Sequence, residues 1–368
     1  MARLIVIVPL LLLALAKLVT WWFKRRTAAL EARKAAFDQA VADRRAEFDP
    51  AEHGLAPTAE LAVKPLAGPE HTEALAAARA GDWRPAAALI ASAGTDWELR
   101  YLLSGPYREL AGEEDGWLRA WREAEPANAD AAALHADSLV VLAWELRSSK
   151  AAAQVTREQF RNFHRVLQEA EAVSEEAVRL ADPADPTPWL SRLPIGMGLN
   201  WSNETFEENF AEITKRVPLH WAAHFRALQY WCEKWHGSHE LMHRFADTAT
   251  AAAPAGSLLT VLKLEAWYEQ LVRQKALDEA WAAPKVQAAL DAALADLAAA
   301  DPAHPKLDHA RGWLAYMLGK AGRPAEALEQ FQALGGVVPL PFSNFHDPVV
   351  AFDRYRTLAV LKLRIAAQ

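Results

Sequence analysis

Cysteine is almost missing from this chain of 368 residues: Cys232 stands alone, which excludes an intramolecular disulfide and any thiolate-rich metal site. It follows Tyr230 and Trp231 and reads as a small buried side chain rather than a nucleophile. A continuous positive surface is lacking too. The formal net charge is -7, with acidic and basic residues mixed along most of the length, so nothing offers itself to a phosphate backbone and nucleic acid is not expected as a partner. No period-two run of Val, Ile, Thr and aromatics lasts long enough to form a sheet. An apolar content of 52% excludes a disordered chain.

What remains is helix. From Glu70 to about Gln332 the pattern is helical, broken at Gly81-Asp82, Gly94-Thr95, Gly105-Pro106, Gly112, Pro126, Pro183 to Pro188, Pro218, Gly237-Ser238, Pro254 to Gly256, Pro302 and Gly322. Several breaks carry capping residues. Ser202 or Asn203 can cap a helix that opens with Glu204 and Glu207, and Thr156 precedes Glu158 and Gln159. Tryptophan is abundant, at 15 residues. Trp83, Trp97, Trp117, Trp121, Trp144, Trp189, Trp201, Trp221, Trp231, Trp235, Trp267, Trp281 and Trp313 fall in or beside these helices, where wide flat side chains suit the seams between them.

The fold class expected is all-α: an N-terminal transmembrane helix followed by an irregular domain of α-α hairpins. Residues 1–23 form the expected anchor. Leu4 to Phe23 are apolar apart from Lys17 and Thr20, a stretch of about twenty residues that matches a hydrocarbon core about 30 Å thick. Lys24, Arg25 and Arg26 follow it, so the positive-inside bias places the large domain on the cytoplasmic side of the cell membrane. Competing readings are a cleaved signal peptide, given Ala14-Leu15-Ala16, or a buried helix. Residues 24–48 read as a charged helical stalk whose stripe of Leu30, Phe37, Val41 and Phe48 packs on the main domain or on a second copy. Residues 49–69, rich in Pro, Gly and Ala, read as a linker, and residues 70–368 as the helical-repeat domain.

Within that domain, His309 to Phe331 resembles a tetratricopeptide repeat. Ala315 and Ala327 would allow two antiparallel helices to approach, with Leu314, Leu318 and Phe331 filling the seam and Gly319 and Gly322 beside the turn. This end, together with the run Glu233-Lys234-Trp235-His236-Gly237-Ser238-His239-Glu240-Leu241-Met242, resembles an uncharacterised family of actinobacterial proteins of the DUF4034 type over residues 70 to 335. The resemblance implies a helical-repeat domain without established activity, and it supplies no catalytic residue.

One motif suggests chemistry. His239, Glu240 and His243 fit H-E-x-x-H, which on a helix sets two imidazoles on one face for zinc and a carboxylate to activate water. Glu265 or Glu269 would be the third ligand. Against this, Gly237-Ser238 places His239 in the first turn, and Leu241, Met242, Phe245 and Ala249 already define a core face with the histidines at its border. His236 reads as an imidazole bonded to backbone in a tight turn. Gly196-x-Gly198 lacks both the Lys-Ser/Thr and the preceding strand of a P-loop, and reads as a loop held down by Leu193, Met197 and Trp201. Gly335 to Pro348 either wraps over the last helical pair or is displayed to a partner.

No catalytic, cofactor-binding or metal-binding residue is therefore assigned, and no cofactor is expected. The leading expectation is a membrane-tethered helical-repeat protein that presents a surface to protein partners; a separate expectation is a purely structural subunit that self-associates through the stalk of residues 24–48. The competing expectation is a zinc-dependent hydrolase built on His239, Glu240 and His243.

Overall fold

The computed structural model describes residues 48–63, 69–147 and 155–366. Within them lie seventeen α-helices. The first six are α1 (Pro69–Arg79), α2 (Arg84–Ala91), α3 (Trp97–Leu103), α4 (Gly105–Glu113), α5 (Gly116–Ala124) and α6 (Ala129–Arg147). Next come α7 (Arg157–Leu180), α8 (Thr187–Leu199), α9 (Asn203–Arg216), α10 (Trp221–Tyr230), α11 (His239–Ala251) and α12 (Val261–Arg273). The series closes with α13 (Asp278–Trp281), α14 (Pro284–Ala299), α15 (Leu307–Lys320), α16 (Pro324–Leu334) and α17 (Pro348–Ala366). An isolated parallel bridge, Ala62 to Val337, is the sole extended pairing among the described residues.

Local chemistry fixes the ends of these helices. Thr156 accepts from the Gln159 amide at 3.2 Å while its own amide donates to Gln159 Oε1 at 3.0 Å, a complete capping box. Ser202, and not Asn203, caps α9 by accepting from the Thr205 amide. Ser238 does the same for α11 through the Leu241 amide. Both glycines of Gly196-x-Gly198 lie inside α8 rather than in a loop. A β-carbon on Gly196 would come within 2.5 Å of the Trp201 ring, and one on Gly198 within 2.3 Å of Leu167. These positions are small because helices and a tryptophan close against them.

The core divides along the chain, as expected when each hairpin buries its face on its neighbours. One cluster joins α1, α2, α4, α5 and α6 around Trp117, Trp121 and Tyr107. A second joins α6, α7 and α8 around Phe163 and Leu167. The third holds α8 to α12 and reaches back to Tyr101 on α3. The last and largest packs α12 to α17. Of the thirteen tryptophans expected in helix seams, Trp117, Trp121, Trp221, Trp231, Trp281 and Trp313 are buried. The other seven are half-buried, so the seams open onto grooves rather than closing over every indole.

Helices α15 and α16 form the hairpin that the tetratricopeptide-like pattern describes. Ala315, Ala327, Leu314 and Leu318 are fully enclosed, Phe331 nearly so, and Gly322 makes the turn with φ 79°. A β-carbon on Gly319 would meet nothing within 4 Å. The close approach falls instead at Gly312, where a β-carbon would lie 2.1 Å from the Leu340 carbonyl oxygen and 2.6 Å from the Pro339 ring. The segment 335–348 therefore wraps over this hairpin, with Val338 and Phe342 buried. Gly312→Ala is expected to lower stability by about 1–3 kcal/mol through overpacking against backbone, which chemical denaturation would read. A change below a few tenths of a kcal/mol would mean that the wrap is loosely held.

The expected linker is docked in part. Leu55 and Leu61 enter the largest core cluster, and Phe48 packs on it while stacking on His53. The Ala62 amide donates to the Gly336 carbonyl at 2.9 Å, and the Val338 amide returns a bond to Ala62 at 2.9 Å. Residues 48–63 thus form a strap across α16, α17 and the wrapped segment.

The membrane part of the expected architecture is corrected. No helix among the described residues is long and apolar enough to cross a membrane. The three that reach eighteen residues, α6, α7 and α17, each carry at least four charged side chains, too many for a hydrocarbon core. The anchor over 1–23 and all of the stalk over 24–48 except Phe48 lie outside the described residues. The transmembrane fold class, the membrane partner, self-association through the stalk and placement at the cell membrane with a cytoplasmic domain are accordingly not retained. The described residues form an all-α domain of stacked helices.

Candidate functional site

Helix α11 carries the H-E-x-x-H motif. His239 sits in its first turn, and successive turns bring Glu240, His243, Arg244, Asp247 and Thr248 onto one face. Facing them across a cleft of about 760 Å³ are Lys263, Trp267 and Gln270 of α12, and Lys285, Ala288, Ala289 and Ala292 of α14. Residues 263, 267 and 270 are spaced by four and three, so they share one side of α12.

That spacing removes the expected third zinc ligand. Glu265 and Glu269 project from the opposite side of α12, about 200° around the helix from Lys263 and Trp267. There Gln229 donates to Glu265 Oε1 at 2.6 Å, and Lys234 donates to Glu269 Oε1 at 2.7 Å. The imidazoles have other roles. His243 Nε2 donates to Gln270 Oε1 at 2.7 Å, with its ring centroid 4.3 Å from that of Trp267. Burial, followed by nearby His239 and Lys285, pushes the His243 imidazole below its usual range, and the Gln270 bond and Asp247 oppose this only in part. His239 Nε2 lies 3.5 Å from Glu233 Oε2, while its Nδ1 is buried without a partner. No group of three or more His, Cys, Asp or Glu among the described residues is arranged to hold a metal ion. The zinc-hydrolase expectation is therefore overturned: the motif supplies one wall of a cleft.

His236 behaves as its tight turn demands. Its Nε2 bonds the Met197 carbonyl at 2.9 Å, and its ring stacks on Tyr230. A β-carbon on Gly237 would overlap the Trp231 carbonyl at 1.9 Å, so this turn depends on glycine. Cys232 is buried with its sulfur 3.3 Å from Met242 Sδ, and burial pushes its thiol up to about 12. It is an inert core residue.

The electrostatic character of the cleft was not legible from the motif. Lys263 pairs with Asp247 at 3.0 Å. Arg244 and Lys285 extend from exposed positions on facing helices and make no ion pair among the described residues. Three cations, Arg244, Lys263 and Lys285, face two carboxylates, Glu240 and Asp247, in a cleft also lined by Trp267. A local excess of positive charge thus appears in a chain whose net charge is negative. The four-and-three spacing on α11 and α12 was available as a signal, but the identity of the facing helix was not.

A second titratable cluster, outside this cleft, closes the stack. Glu98 on α3 accepts the Trp221 amide at the start of α10, with His220 Nδ1 at 3.8 Å. Lys306 lies over the Trp221 ring, and His309 meets the same ring edge-on. Burial holds the His220 and His309 imidazoles down at about 3, so both are neutral packing groups.

The arrangement defines a stacked-helix domain with a charged cleft between alternate helices. No family model, no curated protein and no solved structure matches the chain. The DUF4034-type resemblance consequently rests on the residues that carry it.

Proposed function

We propose that the chain is a binding domain whose cleft between α11, α12 and α14 receives a small anionic group, a carboxylate or a phosphate. The observation that carries this reading is the meeting of two cations without an ion-pair partner among the described residues, Arg244 and Lys285, on opposite walls of one 760 Å³ cleft. That volume lies in the range of small-ligand sites, which combine apolar walls with a few convergent polar groups. Arg244 offers a planar fork suited to carboxylate or phosphate, and Lys285 a compact ammonium. His239 Nδ1, buried without a partner, adds a further polar group in the wall.

The test is titration of the protein with inorganic phosphate and with acetate, followed by the NMR resonances of the Trp267 indole and the His243 ring. Both should shift saturably, and the His243 imidazole should titrate at higher pH in the bound form because a neighbouring anion favours its charged state. Lys285→Glu and Arg244→Glu are each expected to weaken binding at least tenfold, since a charge-assisted contact contributes about 1.5–3 kcal/mol. Both positions are exposed, so stability should stay within about 0.5 kcal/mol of the parent. Unchanged spectra at saturating anion would refute the proposal.

A further inference from the structure

The anion cleft has an apolar neighbour. A pocket of about 400 Å³ opens between α9 and α11, with Phe206, Phe210, Trp231, Leu241 and Phe245 among its lining residues. It shares Arg244 and Thr248 with the larger cleft, so the two spaces meet at one guanidinium. The aromatic walls are fixed by packing: Phe210 meets Phe245 edge-on at 5.5 Å, and Phe206 meets Trp231 at 6.2 Å. Asn203, Glu207 and Thr214 supply the polar edge. An apolar space that ends at an unpaired cation matches a ligand with an apolar body and an anionic end.

Resting on the anion-binding reading above, we infer that the ligand is a small amphipathic anion: its charged head lies between Arg244 and Lys285, and its alkyl or aryl body enters the pocket between α9 and α11. Charge complementarity sets the orientation, because a head placed at the other end would meet Glu207 instead of Arg244. Thr248 stands at the junction as a hydroxyl that can bond the head.

The experiment is a binding series with acetate, butanoate, hexanoate and octanoate, and with 1-octanol as the uncharged probe, against the parent protein, Ala211→Trp and Lys285→Glu. Ala211 is exposed and lines the apolar pocket, so an indole there fills the space without touching the core. In the parent, affinity should rise about fourfold per added methylene until the pocket is full, the factor expected for one buried methylene. Ala211→Trp should abolish that rise yet leave acetate and phosphate binding unchanged. Lys285→Glu should weaken every anion about tenfold or more and leave octanol unaffected. Octanoate binding no more tightly than acetate, or a chain-length gain that survives Ala211→Trp, would overturn the inference while leaving the anion cleft in place. Octanol binding as tightly as octanoate, with octanoate itself unaffected by Lys285→Glu, would remove the anion reading and this inference together.

Discussion

Replacing Arg356 with leucine is expected to cost about 3–5 kcal/mol of folding stability, the loss seen when one partner of a buried ion pair is removed. Arg356 is fully buried on α17, and Asp353, one turn earlier, is 1% exposed. The guanidinium donates to Asp353 Oδ1 through Nε at 2.9 Å and Nη2 at 2.7 Å. It also donates to the Ala56 carbonyl at 2.6 Å and to the Thr58 hydroxyl at 3.1 Å. One side chain thus neutralises a buried carboxylate and satisfies two polar groups of the strap. Leucine removes the two charge-assisted bonds that Arg356 gives the Asp353 carboxylate, in a medium that solvates a charge poorly. Arg356→Leu combined with Asp353→Leu should recover part of the loss, because the buried carboxylate is gone while the strap bonds remain broken. Urea denaturation measures both effects, and proteolysis within residues 49–63 reports release of the strap. A single-variant loss below about 1 kcal/mol would show that the strap is held by Leu55 and Leu61 rather than by the arginine.

Glu265→Gln is expected to stabilise the protein at pH 8 by roughly 1–3 kcal/mol and to have almost no effect at pH 4. Burial, reinforced by the charge of Glu269, pushes the Glu265 carboxyl up to about 7, against the opposing Gln229 bond and Lys234. The unfolded chain ionises near the ordinary value of 4.5. Below that value the carboxyl is neutral in both states and no penalty exists. As the pH rises from 4.5 through about 7, the unfolded state releases its proton first, so folding loses stability across this window and the loss is complete above it. Glutamine preserves an oxygen for the Gln229 bond and never ionises. Paired denaturation curves at several pH values should diverge only above about pH 5. A constant difference at every pH would assign the effect to packing instead of ionisation.

Helix positions, capping boxes and the α15–α16 hairpin were legible because each depends on residues within one or two turns of one another. Thr156 with Gln159, Ser202 with Thr205, and the small residues Ala315 and Ala327 needed no knowledge of distant segments. The H-E-x-x-H motif was legible as a pattern but not as a site. Its meaning depended on which side of α12 faced α11, and Trp267 with Gln270 occupies the side where a carboxylate was expected. Gly312 was overlooked for the same reason, since its neighbour Leu340 arrives from a separate segment. Nothing in the local pattern marks Arg244 and Lys285, because only the placement of α14 opposite α11 brings them to one cleft.

The sequence by itself determined that the described domain is all-α and built from short capped helices, because backbone propensity and apolar period are local properties of the chain. Only the tertiary structure decided that residues 48–63 strap the far end, that Glu265 and Glu269 turn away from the histidines, and that two lone cations meet in one cleft. Those outcomes depend on which helix faces pair across dozens or hundreds of residues, and period and propensity do not specify that pairing.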